Sequence, residues 1–561
     1  MSLVEVMTGD LRCLLQCGKV RLWCGVPVML AFPRSGVEIM KRIVIVLLAG
    51  IAAPGFAQSA SEHADHADNS APRTAMILDG YGGGGFKVDT ANPRAQAFFD
   101  NGMQLAHAFA HKAAIEAMKE AVRLDPHCAM CAWGEAWASG PTINYEVEGK
   151  ELAAAAKLAG KADRLARAHG TARERALTEA LRVRYRRGGG WGHPGDLAFA
   201  KAMNTLAEHY PHDDEIATLA ADAWLQATDH EKDETTKSNS ARAVALLEPV
   251  LTRNPDYTPA IHFYIHATEL SDQGPKAERY ADRLGALAPK ASHLVHMPSH
   301  TFYWVGRYAD AARVNRQAVD IGIAQAKAMD QPPPDGVFGL PYHAHNVTFG
   351  LGGALMAGDA DNALYLGRQL VAVAESKRMD SPFSQALGGS GYVALALFAD
   401  AKEVMALPAP TRPYLKGLWH YARGESFARS GNAAAVRAEA AAISAPVADK
   451  AKEGWSWQAA ESLHIAQAVL LGRAAMIEGK PAEAAAAFRR GAERQEQEAY
   501  GKAADPPLWW FPVRRSLAEA KLAAGDAAGA RAEAEATLKI RPRDPGAMAL
   551  LARLDGAVVS R

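Results

Sequence analysis

The fold is decided by three stretches of the sequence: RAVALLEPVLTRNP at 242–255, KAERYADRLGALAP at 276–289 and YADAARVNRQAVDI at 308–321. Each stretch places an alanine at the same position, and these alanines are 34 residues apart: Ala243, Ala277 and Ala311. Repeats of this length indicate pairs of helices that stack into an array. The remaining sequence is rich in alanine and has no convincing alternating strand pattern, so it also favours helix.

Another part of the chain fits the same unit. Residues 98–126, FFDNGMQLAHAFAHKAAIEAMKEAVRLDP, have small residues at Gly102, Ala114 and Ala121 and end at Pro126. Small residues let two paired helices approach closely, and proline ends a helix because it has no N–H to donate. The period and these positions are those of the tetratricopeptide repeat (TPR). We therefore predict an all-α fold, a TPR-type right-handed helical solenoid.

The sequence predicts five segments. They are a leader and signal peptide at 1–57 with the true start at Met40, a flexible polar segment at 58–91, an N-terminal TPR array at 92–329, a proline-rich inserted loop at 330–341 and a C-terminal TPR array at 342–561. The signal is indicated by Lys41 and Arg42 followed by a short apolar run. We expect a periplasmic or secreted protein whose mature chain has no transmembrane anchor.

Histidines recur in register with the repeat. The unit TPAIHFYIHATEL places His262 fifth, His266 ninth and Glu269 twelfth. The next unit, SHLVHMPSHTFYW, repeats the fifth and ninth positions and adds a histidine at the second: His293, His296, His300 and, twelfth, Tyr303. Positions two, five, nine and twelve lie on one face of a helix. A third unit, after the inserted loop, contributes His343, His345 and Asn346.

Two neighbouring helices that carry His-x-x-x-His pairs predict a metal site. An i, i+4 pair of imidazoles holds two positions of a transition metal, and two pairs could share one ion or hold two. The predicted ligands are seven histidines: His262, His266, His293, His296, His300, His343 and His345. Copper is favoured, with iron or zinc as alternatives. Glu269 and Tyr303 are the candidate catalytic residues, as acid–base groups or as partners that orient an imidazole. Hydrogen-bonded histidines without metal, or a pocket for an anionic or peptide ligand, are the alternatives.

Cys128 and Cys131 are the two cysteines that follow the predicted leader. A Cys-x-x-Cys at a helix start is a structural disulfide, a redox pair or part of a metal site. An oxidising compartment favours the disulfide, and a contribution to metal binding is the second alternative.

The block FFDNGMQLAHAFAHKAAIEAMKEAVRLDPHCAMCAWGEAWASGPTINY resembles the start of a secreted bacterial family of TPR proteins. Four later blocks are similar to that family as well: ARERALTEALRVRYRR, IHFYIHATELS, HLVHMPSHTFYWVGRYADAARVN and WWFPVRRSLAEAKL. The resemblance covers most of the chain from about Asn92 to Ala549 and implies a TPR superhelix in an exported protein. It implies no particular activity.

Three functions are consistent with these patterns. The first is a periplasmic metalloprotein, leaning towards a metal-dependent oxidoreductase if it is an enzyme. The second is a TPR scaffold that binds a peptide, a small molecule or a protein partner in its groove. The third is a metal storage or delivery protein, with the same ligands and no turnover. Lysine plus arginine equal aspartate plus glutamate at 62 each, so no basic surface for nucleic acid is expected.

Overall fold

The structure is a computed structural model that describes residues 76–186, 188, 194–227, 233–446, 454–501 and 506–559. The predicted leader and signal peptide, 1–57, lie outside the described residues. Every regular element in these ranges is an α-helix or a short 3₁₀ turn, which confirms the predicted all-α fold.

In the described part of the chain, thirteen helices precede residues 330–341. They are α1 (Pro93–His107), α2 (His111–Leu124), α3 (Ala129–Ala138), α4 (Gly149–His169), α5 (Ala172–Arg186), α6 (Pro194–His209), α7 (Asp214–Gln226), α8 (Asp233–Arg253), α9 (Thr258–Leu270), α10 (Glu278–Leu287), α11 (Ser292–His296), α12 (Pro298–Trp304) and α13 (Tyr308–Ala328).

The remaining helices follow in chain order. They are α14 (His343–Ala357), α15 (Ala360–Ala372), α16 (Pro382–Gly388), α17 (Ser390–Phe398), α18 (Ala401–Ala406), α19 (Pro413–Arg429), α20 (Ala433–Ala442), α21 (Trp455–Ile477), α22 (Pro481–Gln495), α23 (Glu498–Gly501), α24 (Arg514–Ala523), α25 (Ala527–Ile540) and α26 (Pro545–Val559). Most helices pack against their neighbours in sequence, as in a stack of helix pairs. Within the described ranges, no helix is long and apolar enough to cross a membrane.

Glycines set the distance between the first helices. Met118 of α2 is fully buried between Gly102 of α1 and Gly134 of α3. A Cβ atom added at Gly134 would lie 2.5 Å from the Met118 sulfur, and one at Gly102 would lie 2.7 Å from its terminal methyl carbon. The small positions of the repeat therefore let one long side chain fill the space between three helices.

The 34-residue period is visible in the helices that carry the histidines. Helix α9 begins at Thr258, and α11 begins 34 residues later at Ser292. The second of these units is interrupted after His296, because Pro298 cannot donate a main-chain hydrogen bond. Met297 keeps helical dihedral angles (φ −50°, ψ −36°), so α12 continues from α11 in the next turn.

The described residues before α1, 76–91, belong to the segment 58–91 that the sequence predicted to be flexible. They form no helix or strand but are hydrogen-bonded to α1, α5 and α9, and we call them the N-terminal strap. The side-chain amide of Asn101 accepts from the main chain of Leu78 at 2.9 Å and donates to it at 2.7 Å. The Gly83 N–H donates to Thr258 at 2.5 Å. Glycines with positive φ allow this course, because residues without side chains fit against α9.

Candidate metal centre

Two groups of three histidines lie among the described residues. Site A consists of His262 and His266 of α9 with His293 of α11. Site B consists of His296, His300 of α12 and His345 of α14. Within each group the ring nitrogens that could bind a metal lie within 4.8 Å of one another. Each site therefore takes an i, i+4 pair from one repeat and a third histidine from the start of a later helix.

The proton of one imidazole in site A is fixed by a backbone carbonyl. His262 Nδ1 lies 2.8 Å from the His107 carbonyl oxygen, which can only accept, so this nitrogen carries the proton. The lone pair of His262 Nε2 then points at His293 Nε2, which is 3.1 Å away. Within the described chain, the remaining ring nitrogen of His293 and Nε2 of His266 are buried without a hydrogen-bond partner.

At site B two protons are fixed in the same way. His300 Nδ1 donates to the carboxylate of Glu269 at 3.0 Å. His296 Nδ1 donates to Asn315 Oδ1 at 2.6 Å. The amide of Asn315 is held in this orientation because its Nδ2 donates to the Ala311 carbonyl at 2.8 Å. Both histidines are thereby left with their Nε2 lone pairs facing the interior of site B.

These lone pairs converge on one point. His296 Nε2 is 3.0 Å from His300 Nε2 and 3.1 Å from His345 Nε2. Nitrogens bound to one transition metal at about 2.0–2.1 Å lie about 2.9–3.4 Å apart, so both distances suit a shared ion. Two unprotonated nitrogens at this distance repel each other unless a cation lies between them. Site B could therefore hold a metal ion or, without one, a shared proton.

Burial favours the neutral form of four of the six site imidazoles. Removal from water lowers the pKa of His262 to about 3, although its hydrogen bond to the His107 carbonyl opposes the shift. Desolvation, reinforced by the neighbouring rings, lowers the pKa of His266, His293 and His296 well below the usual 6.5. A metal ion does not have to displace protons from neutral imidazoles, so binding at these nitrogens is favoured at and below neutral pH.

Each site packs against a phenylalanine. The Phe109 ring lies 4.5 Å from the His262 ring and 4.8 Å from the His293 ring, between centroids. Phe109 has a positive φ of 58° at the end of α1, a conformation that brings its ring over site A. Phe349 lies 4.5 Å from His300 at site B. Apolar walls exclude water and hold the imidazoles in place.

The two sites adjoin each other. The rings of His266 and His300 are 5.8 Å apart between centroids, and so are those of His293 and His296. Helix α9 also links the sites chemically, since it carries the histidine pair of site A and Glu269, which orients a ring of site B. The indole of Trp304 donates to the same carboxylate at 3.2 Å.

The remaining predicted site residues lie near these groups without joining them. His343 is buried beside Phe338, 5.0 Å between centroids, and desolvation lowers its pKa to about 4. Tyr303 is fully buried, and the ring between it and site B is Phe349, 5.9 Å from the tyrosine. Asn346 Nδ2 donates to the Ser292 hydroxyl at 3.1 Å. Glu269 is the candidate catalytic residue that contacts a site histidine.

Sequence reasoning missed the groups that orient the rings. The carbonyl of His107 and the ring of Phe109 come from a distant repeat, whereas Asn315 lies in α13, next to the helices of site B, and Phe349 lies in α14; no local pattern marks any of them. The burial of Asn315 on α13, which distinguishes it from other polar residues, is seen only in the folded protein.

The cysteines form the disulfide that the sequence favoured. Cys128 and Cys131 are bonded to each other at the start of α3, and both are buried. They are therefore separate from the histidine groups and leave each site with imidazole ligands alone.

No protein-family model matches the chain, and no curated protein matches it. Similar solved structures include the hetero-tetramer Cut9–Hcn1 of the APC/C, at 13% identity over 82% of this chain and 76% of that chain, with a TM-score of 0.24. A human IFIT1 dimer with m7Gppp-AAAA is 13% identical over 81% of this chain and 91% of its own (TM-score 0.26). Yeast Tom70 is 10% identical over 84% and 90% (TM-score 0.24). Likenesses this distant identify no family, and the evidence for the fold is the helix pairs described above.

Proposed function

We propose that the protein binds two transition-metal ions, one at site A and one at site B, in the periplasm or outside the cell. Copper is the favoured metal, with iron or zinc as alternatives. The observation that carries the proposal is the 3.0 Å approach of His296 Nε2 to His300 Nε2, when both rings already donate their Nδ1 proton elsewhere.

Hydrogen-bonded histidines without metal explain this arrangement less well. A direct hydrogen bond between the two Nε2 atoms would require one ring to carry protons on both nitrogens and a positive charge. Burial opposes that charge at His296, whose pKa is lowered well below 6.5, so the charge would have to reside on His300, beside the Glu269 carboxylate. A metal ion removes the conflict, because it accepts all three lone pairs and leaves both Nδ1 hydrogen bonds intact.

The ligand chemistry restricts the metal. Three imidazoles at each site suit copper, zinc, iron or nickel, whereas magnesium and calcium prefer oxygen. Copper is favoured because it binds nitrogen ligands most tightly among the divalent first-row metals. Bound copper or iron would supply redox chemistry, so an oxidoreductase is the activity we propose to search for. Storage or delivery of the metal would give the same loading without turnover.

Metal content of single-site variants tests the proposal. The exported protein, purified without chelator and analysed by inductively coupled plasma mass spectrometry, should contain about two equivalents of one metal. His266→Ala and His345→Ala should each keep about one equivalent, and the double variant should keep none. His343→Ala is the matched control, because His343 is buried nearby but belongs to neither group; it should keep both ions.

Two results would overturn the proposal. One is a wild-type protein that stays metal-free after incubation with copper, iron and zinc salts. The other is loading that the double variant retains in full, with circular dichroism showing that it is folded. In either case, capture of a peptide or protein partner by the helical scaffold becomes the function to test.

A further inference from the structure

Sites A and B share one short helix. His293 and His296 lie three residues apart on α11, yet the first belongs to site A and the second to site B. Residues three apart are neighbours on the surface of a helix, with Cβ atoms about 5–6 Å apart. The separation of the two sites is therefore fixed by one turn of helix and does not depend on a loop or a hinge.

The distances between the sites are similar to the distances within them. Inside the sites, ring centroids are between 4.6 Å (His296 and His345) and 6.4 Å (His266 and His293) apart. The two ring pairs that face each other across the sites, His266 with His300 and His293 with His296, are both 5.8 Å apart. The six imidazoles thus form one continuous cluster. An ion lies about 2 Å from each nitrogen that binds it, so the two ions would be on the order of 4–8 Å apart.

Each site leaves a coordination position for a further ligand. The groups that the described residues supply have three imidazoles each, and these occupy three of the four positions around a tetrahedral ion. Structural metal sites fill all four positions with protein ligands, whereas sites that act on a substrate keep one position for it. Both halves of the cluster therefore have the ligand number of a reactive centre.

The surroundings restrict the further ligand to a small molecule. Five of the six histidines are at most 7% exposed, and His345 is half-buried. Phe109 and Phe349, which cover sites A and B, are 6% and 0% exposed. A bulky molecule would have to displace these rings, and an apolar wall favours a neutral molecule over one that must give up its hydration. Dioxygen is small, neutral and apolar, and it accepts electrons from reduced copper or iron.

We propose that sites A and B act together as one two-electron centre whose substrate is dioxygen. This inference rests on the proposed function, with copper at both sites. Each of two Cu(I) ions gives up one electron and becomes Cu(II). Dioxygen takes up both electrons and two protons from the solvent and leaves as hydrogen peroxide. The π bond of dioxygen is broken, its σ bond is kept and two O–H bonds form.

The need for two electrons explains why the sites adjoin each other. Reduction of dioxygen by one electron gives superoxide and is unfavourable, whereas reduction by two electrons gives peroxide and is favourable. An isolated Cu(I) ion supplies only the first electron. Two ions in one buried cluster can supply both before superoxide leaves.

The rate of copper oxidation tests this cooperation. Protein loaded with Cu(I) under anaerobic conditions is mixed with oxygenated buffer, and the dioxygen consumed and the hydrogen peroxide formed are measured. We expect the wild type to consume one dioxygen molecule and form one hydrogen peroxide molecule per two copper ions. His266→Ala and His345→Ala, each with a single copper ion, should be oxidised about tenfold or more slowly per ion. His343→Ala is the matched control and should react like the wild type.

Electron paramagnetic resonance measures the interaction between the two ions directly. Two neighbouring Cu(II) ions alter each other's signal, so the spectrum of the oxidised wild type should be broader and weaker than the sum of the two single-site spectra. Wild-type protein with substoichiometric copper gives a reference for isolated ions that needs no variant. His343→Ala should show the same interaction as the wild type.

Each outcome separates this inference from the proposed function. Equal oxidation rates per copper ion in the wild type and in folded single-site variants would overturn the two-electron centre and leave metal binding intact. A fully loaded wild type with the spectrum of isolated Cu(II) ions would do the same, and so would a protein that binds zinc but no copper. A protein that binds no metal would overturn both proposals.

Discussion

Replacing Glu269 by glutamine should weaken site B and leave site A unchanged. The carboxylate accepts from His300 Nδ1 at 3.0 Å and from the Trp304 indole at 3.2 Å, and its side chain is 21% exposed. Glutamine keeps an acceptor but removes the negative charge that makes the imidazole a stronger ligand. Loss of such an outer partner costs 10- to 100-fold in metal affinity, or about 1.4–2.7 kcal/mol. Glu269 is thus a positioning residue in this prediction.

Each site can be measured alone by chelator competition. A His266→Ala background leaves site B, and a His345→Ala background leaves site A. We expect Glu269→Gln to lower the affinity 10- to 100-fold in the first background and less than threefold in the second. Glu234→Gln, at an exposed position of α8, controls for the change in net charge. An equal loss at both sites, or an unchanged site B, would refute the argument that Glu269 acts through the imidazole it orients.

Three further predictions follow from single contacts. A Cβ at Gly350 would lie 2.5 Å from Cβ of Asn315, so Gly350→Ala should displace that amide and lower the metal content of site B; unchanged loading would contradict this. Both ring nitrogens of His111 are buried without a partner in the described ranges, and desolvation lowers its pKa to about 4. As pH falls from 6.5 to 4, the unfolded chain binds a proton at His111 before the folded protein does, so the free energy of unfolding decreases across that window. His111→Leu should raise the thermal midpoint, and between pH 7 and pH 5 the metal-free variant should lose about 2 kcal/mol less of its free energy of unfolding than the wild type. An equal loss in both proteins would contradict the buried neutral imidazole. Replacing Cys128 and Cys131 together by serine should lower the free energy of unfolding, measured by urea titration, by about 2 kcal/mol and leave the metal content unchanged. Loss of metal in this variant would show that the metal sites depend on the disulfide.

The sequence was most informative where the 34-residue repeat determines both the helix pairs and the spacing of the histidines. The 34-residue repeat predicts that α9 and the following unit present equivalent faces, and six of the seven predicted ligands do lie in two groups. Their division into groups was not predictable, because each third histidine comes from the start of another helix. His293 stands 31 residues after His262, whereas His345 stands 49 residues after His296, since the inserted loop intervenes.

The groups that orient the imidazole rings could not be predicted from the sequence, for a different reason. The His107 carbonyl approaches His262 across 155 residues of chain, and a carbonyl is present at every position of any sequence. Asn315 has no marker other than its burial, which is a property of the folded state. Local patterns specify which side chains share a helix face, but contacts between distant repeats depend on how the array curves.

Because of the N-terminal strap, the repeat units do not contribute independently to the stability of the protein. In an ordinary repeat array, each unit touches only its nearest neighbours, so units can be removed or added and stability changes by independent increments. Here residues 76–91 bond to both α1 and the start of α9, and Phe109 packs on His293, which stands 184 residues later in the chain. The repeat units between α1 and α9 are therefore joined at both ends, through the chain and through these contacts. Shortening the chain at its N-terminus should therefore affect the middle of the array first, and the protein should unfold as one cooperative block rather than unit by unit.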